Sequence, residues 1–118
     1  MKNLAKLIVL GAVCSMLFVA IVPAHATVLE TGSIAAGEVD IYKVDLRAGV
    51  TYSIGAIAGN RGADLDLLVL DADANVRTAD TGSSPDAAVR FTPSYSGTYY
   101  LSVVASSGST EYLVMVAP

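Results

Sequence analysis

The sequence predicts an all-β protein, a jelly-roll-like antiparallel β-sandwich of about eight strands preceded by a cleavable signal peptide. Three observations predict it. The first 26 residues have the pattern of an export leader. The remaining chain alternates apolar and polar residues with the period of a β-strand, and Gly, Asp, Asn and Ser interrupt this alternation at short intervals. After Thr27 no helical stripe of useful length is found.

Residues 1–26 are organised as a secretory leader. Two early lysines precede an uncharged apolar run over 7–22, which ends at Pro23 and the small-x-small triplet 24–26. The run has 16 residues, fewer than the roughly 20 that span a bilayer, which favours cleavage over a retained anchor. We therefore expect cleavage after Ala26, no membrane span afterwards, and export to the periplasm or the medium as one domain over 27–118.

The composition of the mature domain excludes several function classes. Removing 26 of 118 residues leaves 92, in which eleven acids face five bases for a net charge of −6. Such a domain gains nothing from neutralising phosphates, so nucleic acid is not an expected partner. Cys14 and His25 are the chain's single Cys and His, and both lie in the leader. The mature domain therefore lacks the residues for a Ser-His-Asp or Cys-His centre or a usual zinc site.

We predict eight strands from the runs rich in Val, Ile, Tyr and Leu. Their bounds are 28–34, 39–46, 50–58, 64–70, 75–80, 87–92, 98–105 and 110–116. Alternation gives each strand an inward set. In the second strand, for example, Tyr42, Val44 and Leu46 share the inward face while Lys43 and Asp45 point outward. Two of the short connections end on glycine, which suits the positive φ of tight turns.

Three segments carry a family resemblance: DIYKVDLRAG (40–49), ADLDLLVLDADANV (63–76) and VRFTPSYSGTYYLSVVA (89–105). In this order they resemble the bacterial pre-peptidase C-terminal domain, through most of 37–117. The resemblance implies a non-catalytic β-sandwich found at the tail of secreted peptidases and other extracellular proteins. Some relatives bind collagen or other polymers, or hold calcium. Because no peptidase precedes these motifs here, we expect a free module or one that acts on a partner in trans.

The acidic residues suggest two kinds of chemistry. Asp64 and Asp66 share a strand face at about 6.6 Å, near the spacing of inverting glycosidases, but no apolar pocket is expected to raise the pKa of either. We therefore predict no enzyme. Carboxylates also suit calcium, the one candidate cofactor, and Asp64, Asp66 and Asp80 are the candidate ligands. The segment 71–75 begins like a calcium loop but lacks its later Gly and Glu, and ordinary turn chemistry is the favoured interpretation.

Several apolar residues fall on outward phases and form the candidate binding surface. If their strands share one sheet, they make an apolar patch of the kind that marks an interface. The equally weighted alternative is that a loop or the N-terminal strand covers these residues, or that they are isolated exposed side chains without a role. Tyr95 and Tyr100 could also stack on a polymer. The surface candidates are Leu68, Leu70, Tyr95, Tyr100, Val104, Leu113 and Met115.

The sequence thus predicts an exported, non-catalytic module that binds an extracellular polymer or protein through its surface. Two alternatives remain open. One is a structural or self-associating envelope protein that uses the outer apolar patch. The other is a helper, acting in trans, of a separately encoded secreted peptidase.

Overall fold

The computed structural model of the protein describes residues 17–21 and 27–118. These residues form β-strands and no helix. The strands are β1 Leu17–Ile21, β2 Val28–Ile34, β3 Val39–Leu46, β4 Tyr52–Ala58, β5 Asp64–Leu70, β6 Val76–Asp80, β7 Ala87–Phe91, β8 Gly97–Ser107 and β9 Thr110–Ala117. The all-β prediction is confirmed, and β2 to β9 correspond in order to the eight predicted strands.

The strands form the two layers of a sandwich. The five-stranded sheet has the order β1-β3-β8-β5-β6, and the four-stranded sheet has the order β2-β9-β4-β7. Every pair among β2 to β9 is antiparallel. β8 and β9 follow each other in sequence but lie in different sheets. The short turn between them therefore carries the chain from one layer to the other.

The core lies between the sheets and is built from alternate residues of the strands, as predicted. In β3 the side chains of Tyr42, Val44 and Leu46 are buried, while the residues between them are half-buried. Among the described residues, the buried core cluster lies entirely between Ile34 and Val116. Residues 27–118 therefore contain every residue of this cluster and both partners of every antiparallel pair that the structure describes.

One turn shows why glycine is required where the chain changes sheets. Gly108, between β8 and β9, has a φ of 75°. A Cβ at this position would lie 2.9 Å from the Cα of Ala63. Both the left-handed backbone and the close approach exclude a side chain. Gly49, in the middle of the β3–β4 connection, has a φ of 80°, as the sequence predicts for that turn.

The predicted leader lies mostly outside the described residues, and so does the predicted cleavage site after Ala26. Its described part is β1, which pairs in parallel with β3 over Leu17–Ile21. β1 therefore occupies the edge of the five-stranded sheet. None of the described residues belongs to a helix long and apolar enough to cross a membrane.

Candidate binding surfaces

The predicted surface residues are distributed over three places. Because β8 and β9 belong to different sheets, the shared sheet on which a single patch depended does not exist. Leu113 and Met115 lie on the outer face of the four-stranded sheet, and Tyr95 lies in the loop between β7 and β8. The outer face of the five-stranded sheet carries the rest: Leu68, Leu70, Tyr100 and Val104.

The outer face of the four-stranded sheet carries a contiguous group of four aliphatic side chains, here called the apolar face. Leu29 of β2 pairs with Met115 of β9, and Leu113 of β9 pairs with Ile57 of β4. Leu29 is 56% exposed and Ile57 is 43% exposed. Sequence reasoning missed these two residues, although each stands on the outward phase of its strand.

An open depression lies beside Leu113 on the same sheet. It has a volume of about 630 Å³ and is lined by residues 31–33, 57–59 and 111–113. Gly32 shapes this region, because a Cβ there would lie 2.7 Å from the Tyr112 ring. The ring of Tyr112 therefore packs directly against the β2 backbone, and polar groups from Thr31, Ser33 and Glu111 border the depression.

The outer face of the five-stranded sheet is chemically mixed. Across it, Tyr100 pairs with Lys43 on one side and Leu70 on the other, and Leu70 pairs with the exposed Val76. Tyr100 is half-buried, and burial raises the pKa of its hydroxyl. Charged and polar residues thus interrupt the aliphatic ones here, in contrast to the apolar face.

Tyr95 covers one end of the sandwich. Its ring stacks on the buried Tyr99 at a centroid distance of 5.0 Å and an interplanar angle of 22°. The Tyr99 hydroxyl donates to the Tyr95 carbonyl at 2.9 Å. One face of the Tyr95 ring is therefore covered by Tyr99, which leaves a smaller platform for a polymer than the sequence suggests.

The three candidate calcium ligands differ in their hydrogen bonding. Asp64 and Asp66 each have a buried Oδ1 atom that accepts no hydrogen bond. Burial raises the pKa of Asp66, and the charges of Asp64 and Asp80 raise it further. Asp80, by contrast, accepts hydrogen bonds from the backbone N–H groups of Ala88 (2.9 Å) and Gly82 (3.1 Å), which lower its pKa. Asp80 is thus engaged in holding the β6–β7 connection.

The loop at 71–75 is held by turn chemistry. The Asp71 Oδ1 atom accepts hydrogen bonds from the N–H groups of Asp73 and Asn75, both at 2.9 Å, and the bond from Asn75 is the main cause of its lowered pKa. Ala74 completes the turn with a φ of 67°. In the part of the chain that the structure describes, no three His, Cys, Asp or Glu side chains are arranged to hold a metal ion. Calcium binding stays a prediction.

A buried polar cluster joins the two sheets. Asp40 of β3 is 4% exposed and accepts a hydrogen bond from the Tyr112 hydroxyl of β9 at 2.6 Å. The Tyr112 and Tyr42 hydroxyl oxygens lie 2.5 Å apart. Burial raises the pKa of Tyr42 to about 12 and raises that of Tyr112 as well. Both tyrosines are therefore neutral at physiological pH. The one signal in the sequence is that Asp40 shares the inward phase of β3.

The fold and its surfaces define a small β-sandwich module that offers faces and edges for contact. The chain belongs to the bacterial pre-peptidase C-terminal domain family, whose model matches residues 38–105. This confirms the resemblance that the strand motifs indicate. The comparison with curated proteins gave no match.

Several solved structures share the fold of this chain. The pre-peptidase C-terminal domain of a collagenase from Bacillus anthracis is 18% identical, with a TM-score of 0.62 over 83% of this chain and 93% of that one. PliG from Aeromonas hydrophila, a periplasmic inhibitor of g-type lysozyme, is 13% identical, with a TM-score of 0.61 over 86% and 96%. PliG from Salmonella Typhimurium is 16% identical, with a TM-score of 0.53 over 85% and 97%.

Proposed function

We propose that the chain is an exported, non-catalytic module that binds another protein through the apolar face. The observation that carries this proposal is the exposure of Leu29 and Ile57 beside Leu113 and Met115 on one sheet. Polar residues are the usual occupants of outward positions on a sheet that faces water. Contiguous exposed aliphatic residues with a polar border are typical of interfaces.

The energetics of the apolar face favour a docked partner. Burying one large aliphatic side chain stabilises a complex by about 1.5–3 kcal/mol relative to leaving it exposed. Leu113 lies on the central strand β9, between Thr31 and Ile57. A residue in the middle of a patch is where an interface most often concentrates its binding energy.

The chemistry of the surface favours a protein over a polysaccharide. The apolar face is aliphatic, whereas sugar rings are bound by stacking on aromatic rings, and Tyr95 has one ring face covered. Two fold neighbours are inhibitors of g-type lysozyme, so a sandwich of this shape can serve to bind an enzyme. A g-type lysozyme is accordingly one test partner for this chain.

Two further parts of the proposal follow from the residues themselves. The described residues contain neither Cys nor His, and the carboxylates of Asp71 and Asp80 accept hydrogen bonds from the backbone of their own turns, which supports a non-catalytic role. Export is supported by the leader pattern of residues 1–26. Self-association through the apolar face is the second candidate, because two copies could cover each other's Leu29 and Ile57.

The test compares two leucine variants of the exported protein. Leu113→Lys places a charge on the apolar face, and Leu68→Lys, also a half-buried leucine on an outer face, is the matched control on the other sheet. Pull-down from the medium of the source culture, sedimentation velocity, and a g-type lysozyme activity assay report partner binding, self-association and inhibition. We expect Leu113→Lys to lose the partner binding, self-association or inhibition that the wild type shows, and Leu68→Lys to keep it.

Two results would refute the proposal. One is a wild-type protein that remains a monomer and captures no specific partner in any of these assays. The other is a large fall in melting temperature for Leu113→Lys without any change in binding by the folded fraction, which would make Leu113 a core residue. Circular dichroism of both variants separates misfolding from loss of contact.

A further inference from the structure

One side of β3 is covered by β1, a segment that the sequence predicts to be removed. β3 pairs with β8 on one side and with β1 on the other. Of the strands that the structure describes, β1 alone pairs with this second edge. The ladder runs in parallel from the pair Leu17 and Ile41 to the pair Ile21 and Asp45. Cleavage after Ala26 would therefore open this edge.

The direction of the backbone groups can be derived from the ladder with β8. The N–H of Ala105 donates to the carbonyl of Glu38 at 3.1 Å. Hydrogen-bonded pairs alternate along an antiparallel ladder, so the even-numbered residues of β3 bond to β8. The N–H and C=O groups of Ile41, Lys43 and Asp45 consequently point to the other edge, where β1 lies.

This edge is more regular than the opposite edge of the same sheet. β3 has eight residues, contains no proline, and pairs with β8 without a register shift. β6, at the opposite edge, has five residues and a register shift against β5 between Val69 and Leu70. Short or bulged edges resist the addition of a strand, whereas a long regular edge accepts one.

We propose that, once the leader is gone, β3 receives an extended segment of a second exported polypeptide as a new parallel strand. In this mode, backbone hydrogen bonds supply affinity and alternate side chains supply specificity. Positions beside Tyr42 and Val44 face the core side and take apolar residues. The position beside Lys43, which Val19 holds in β1, lies on the outer face, where an acid in the partner strand would pair with the lysine. β1, with the sequence LFVAI, shows that this edge accommodates an apolar strand.

The proposal goes beyond the apolar face, because it uses the other sheet and backbone groups in place of side chains. The test uses the 27–118 protein and a synthetic peptide with the β1 sequence between terminal lysines. Hydrogen exchange measured by NMR gives the exchange rate of each backbone amide. With saturating peptide we expect about 10-fold or greater slowing of exchange at Ile41, Lys43 and Asp45. The Tyr42 and Val44 amides, already bonded to β8, should change little.

Two matched controls make the result specific to the edge. Lys43→Pro removes the outward N–H without removing a bond to β8, whereas Lys43→Ala keeps it. We expect peptide binding to be lost in the proline variant and retained in the alanine variant. A peptide N-methylated at the alternate residues whose N–H groups face β3 should also fail to bind the wild-type protein. Because the protein is unchanged in this control, the result does not depend on whether the proline variant folds. Unchanged exchange in the wild type, or equal binding of the methylated peptide, would overturn the proposal.

Discussion

Removal of one hydroxyl group from the buried cluster tests the physical account of how the two sheets are joined. In the variant Tyr112→Phe, the ring that packs against Gly32 is kept and only the hydroxyl is lost. That hydroxyl donates to the Asp40 carboxylate at 2.6 Å and also contacts the Tyr42 hydroxyl. The substitution therefore isolates the hydrogen bonds between β9 and β3 from the packing of the aromatic ring.

The magnitude follows from the type of bond. A buried hydrogen bond to a charged group contributes about 1.5–3 kcal/mol, compared with about 0.5–1.5 kcal/mol for a neutral one. We therefore expect Tyr112→Phe to lower the free energy of unfolding by about 2–3 kcal/mol. For a domain of this size each kcal/mol corresponds to roughly 4–8 °C in melting temperature, so the fall should be on the order of 10–20 °C.

Tyr52→Phe is the matched control. Tyr52 is also buried in the core, but its hydroxyl accepts a single hydrogen bond from the backbone N–H of Arg47 at 3.0 Å. Its loss should cost about 1 kcal/mol. Urea unfolding of the 27–118 protein, followed by tyrosine fluorescence and far-UV circular dichroism, measures both variants. Equal destabilisation by the two substitutions would show that the link to Asp40 has no special weight, and the reasoning would be wrong.

Two further predictions concern titratable groups. Because folding raises the pKa of Asp66, its charged carboxylate lowers stability at neutral pH, and this penalty disappears as the pH falls; Asp66→Asn should therefore raise the urea midpoint of the calcium-free protein at pH 7. A rise in the wild-type melting temperature with millimolar calcium that is absent in the variant would mark a bound ion. Folding raises the pKa of Tyr42 to about 12, so the free energy of unfolding should be unchanged below about pH 10 and should fall as the pH rises toward 12. In a pH series, the urea midpoint of Tyr42→Phe should fall less than that of the wild type.

The sequence predicts the strands of this fold well because each one buries a single face. In β3 and β9 the apolar residues recur at every second position, and a shift by one residue would expose the whole set. That constraint is local and can be read from the pattern. The inward set of β3, which is Tyr42, Val44 and Leu46, is predicted correctly for this reason.

The sheet to which each strand belongs could not be predicted in the same way. Only a short turn around Gly108 separates β8 from β9. Alternation is the same whether the next strand pairs with its predecessor or crosses to the other layer, so the sequence leaves open whether Leu113 and Leu68 share one surface. The link between Asp40 and Tyr112 spans 72 residues. An acid at an inward position of a strand shows that a hydrogen-bond donor is needed in the core, but it does not show which residue supplies it.

Residues 17–21 show a different limit of prediction from sequence. An apolar run of 16 residues predicts the core of a signal peptide, and this prediction does not include a β-strand. Five of these residues, Leu17–Ile21, nevertheless form a strand that pairs with β3. An open sheet edge is a template that any extended apolar segment can use. The pairing therefore indicates that the edge of β3 can accept an added strand, which is the basis of the proposal for this edge.

The distribution of charge determines which surface can meet a partner or a second copy. The outer side of the five-stranded sheet carries Asp45, Asp64 and Asp66 against Lys43 and is therefore acidic on balance, whereas the apolar face has Glu111 only at its border. Two acidic sides repel each other, so a contact between copies would form through the apolar face. Such a contact should persist in high salt because it depends on apolar burial. Strand addition at β3 depends on backbone hydrogen bonds, so a Leu113→Lys variant should still accept the β1 peptide. The two proposals therefore fail or succeed independently.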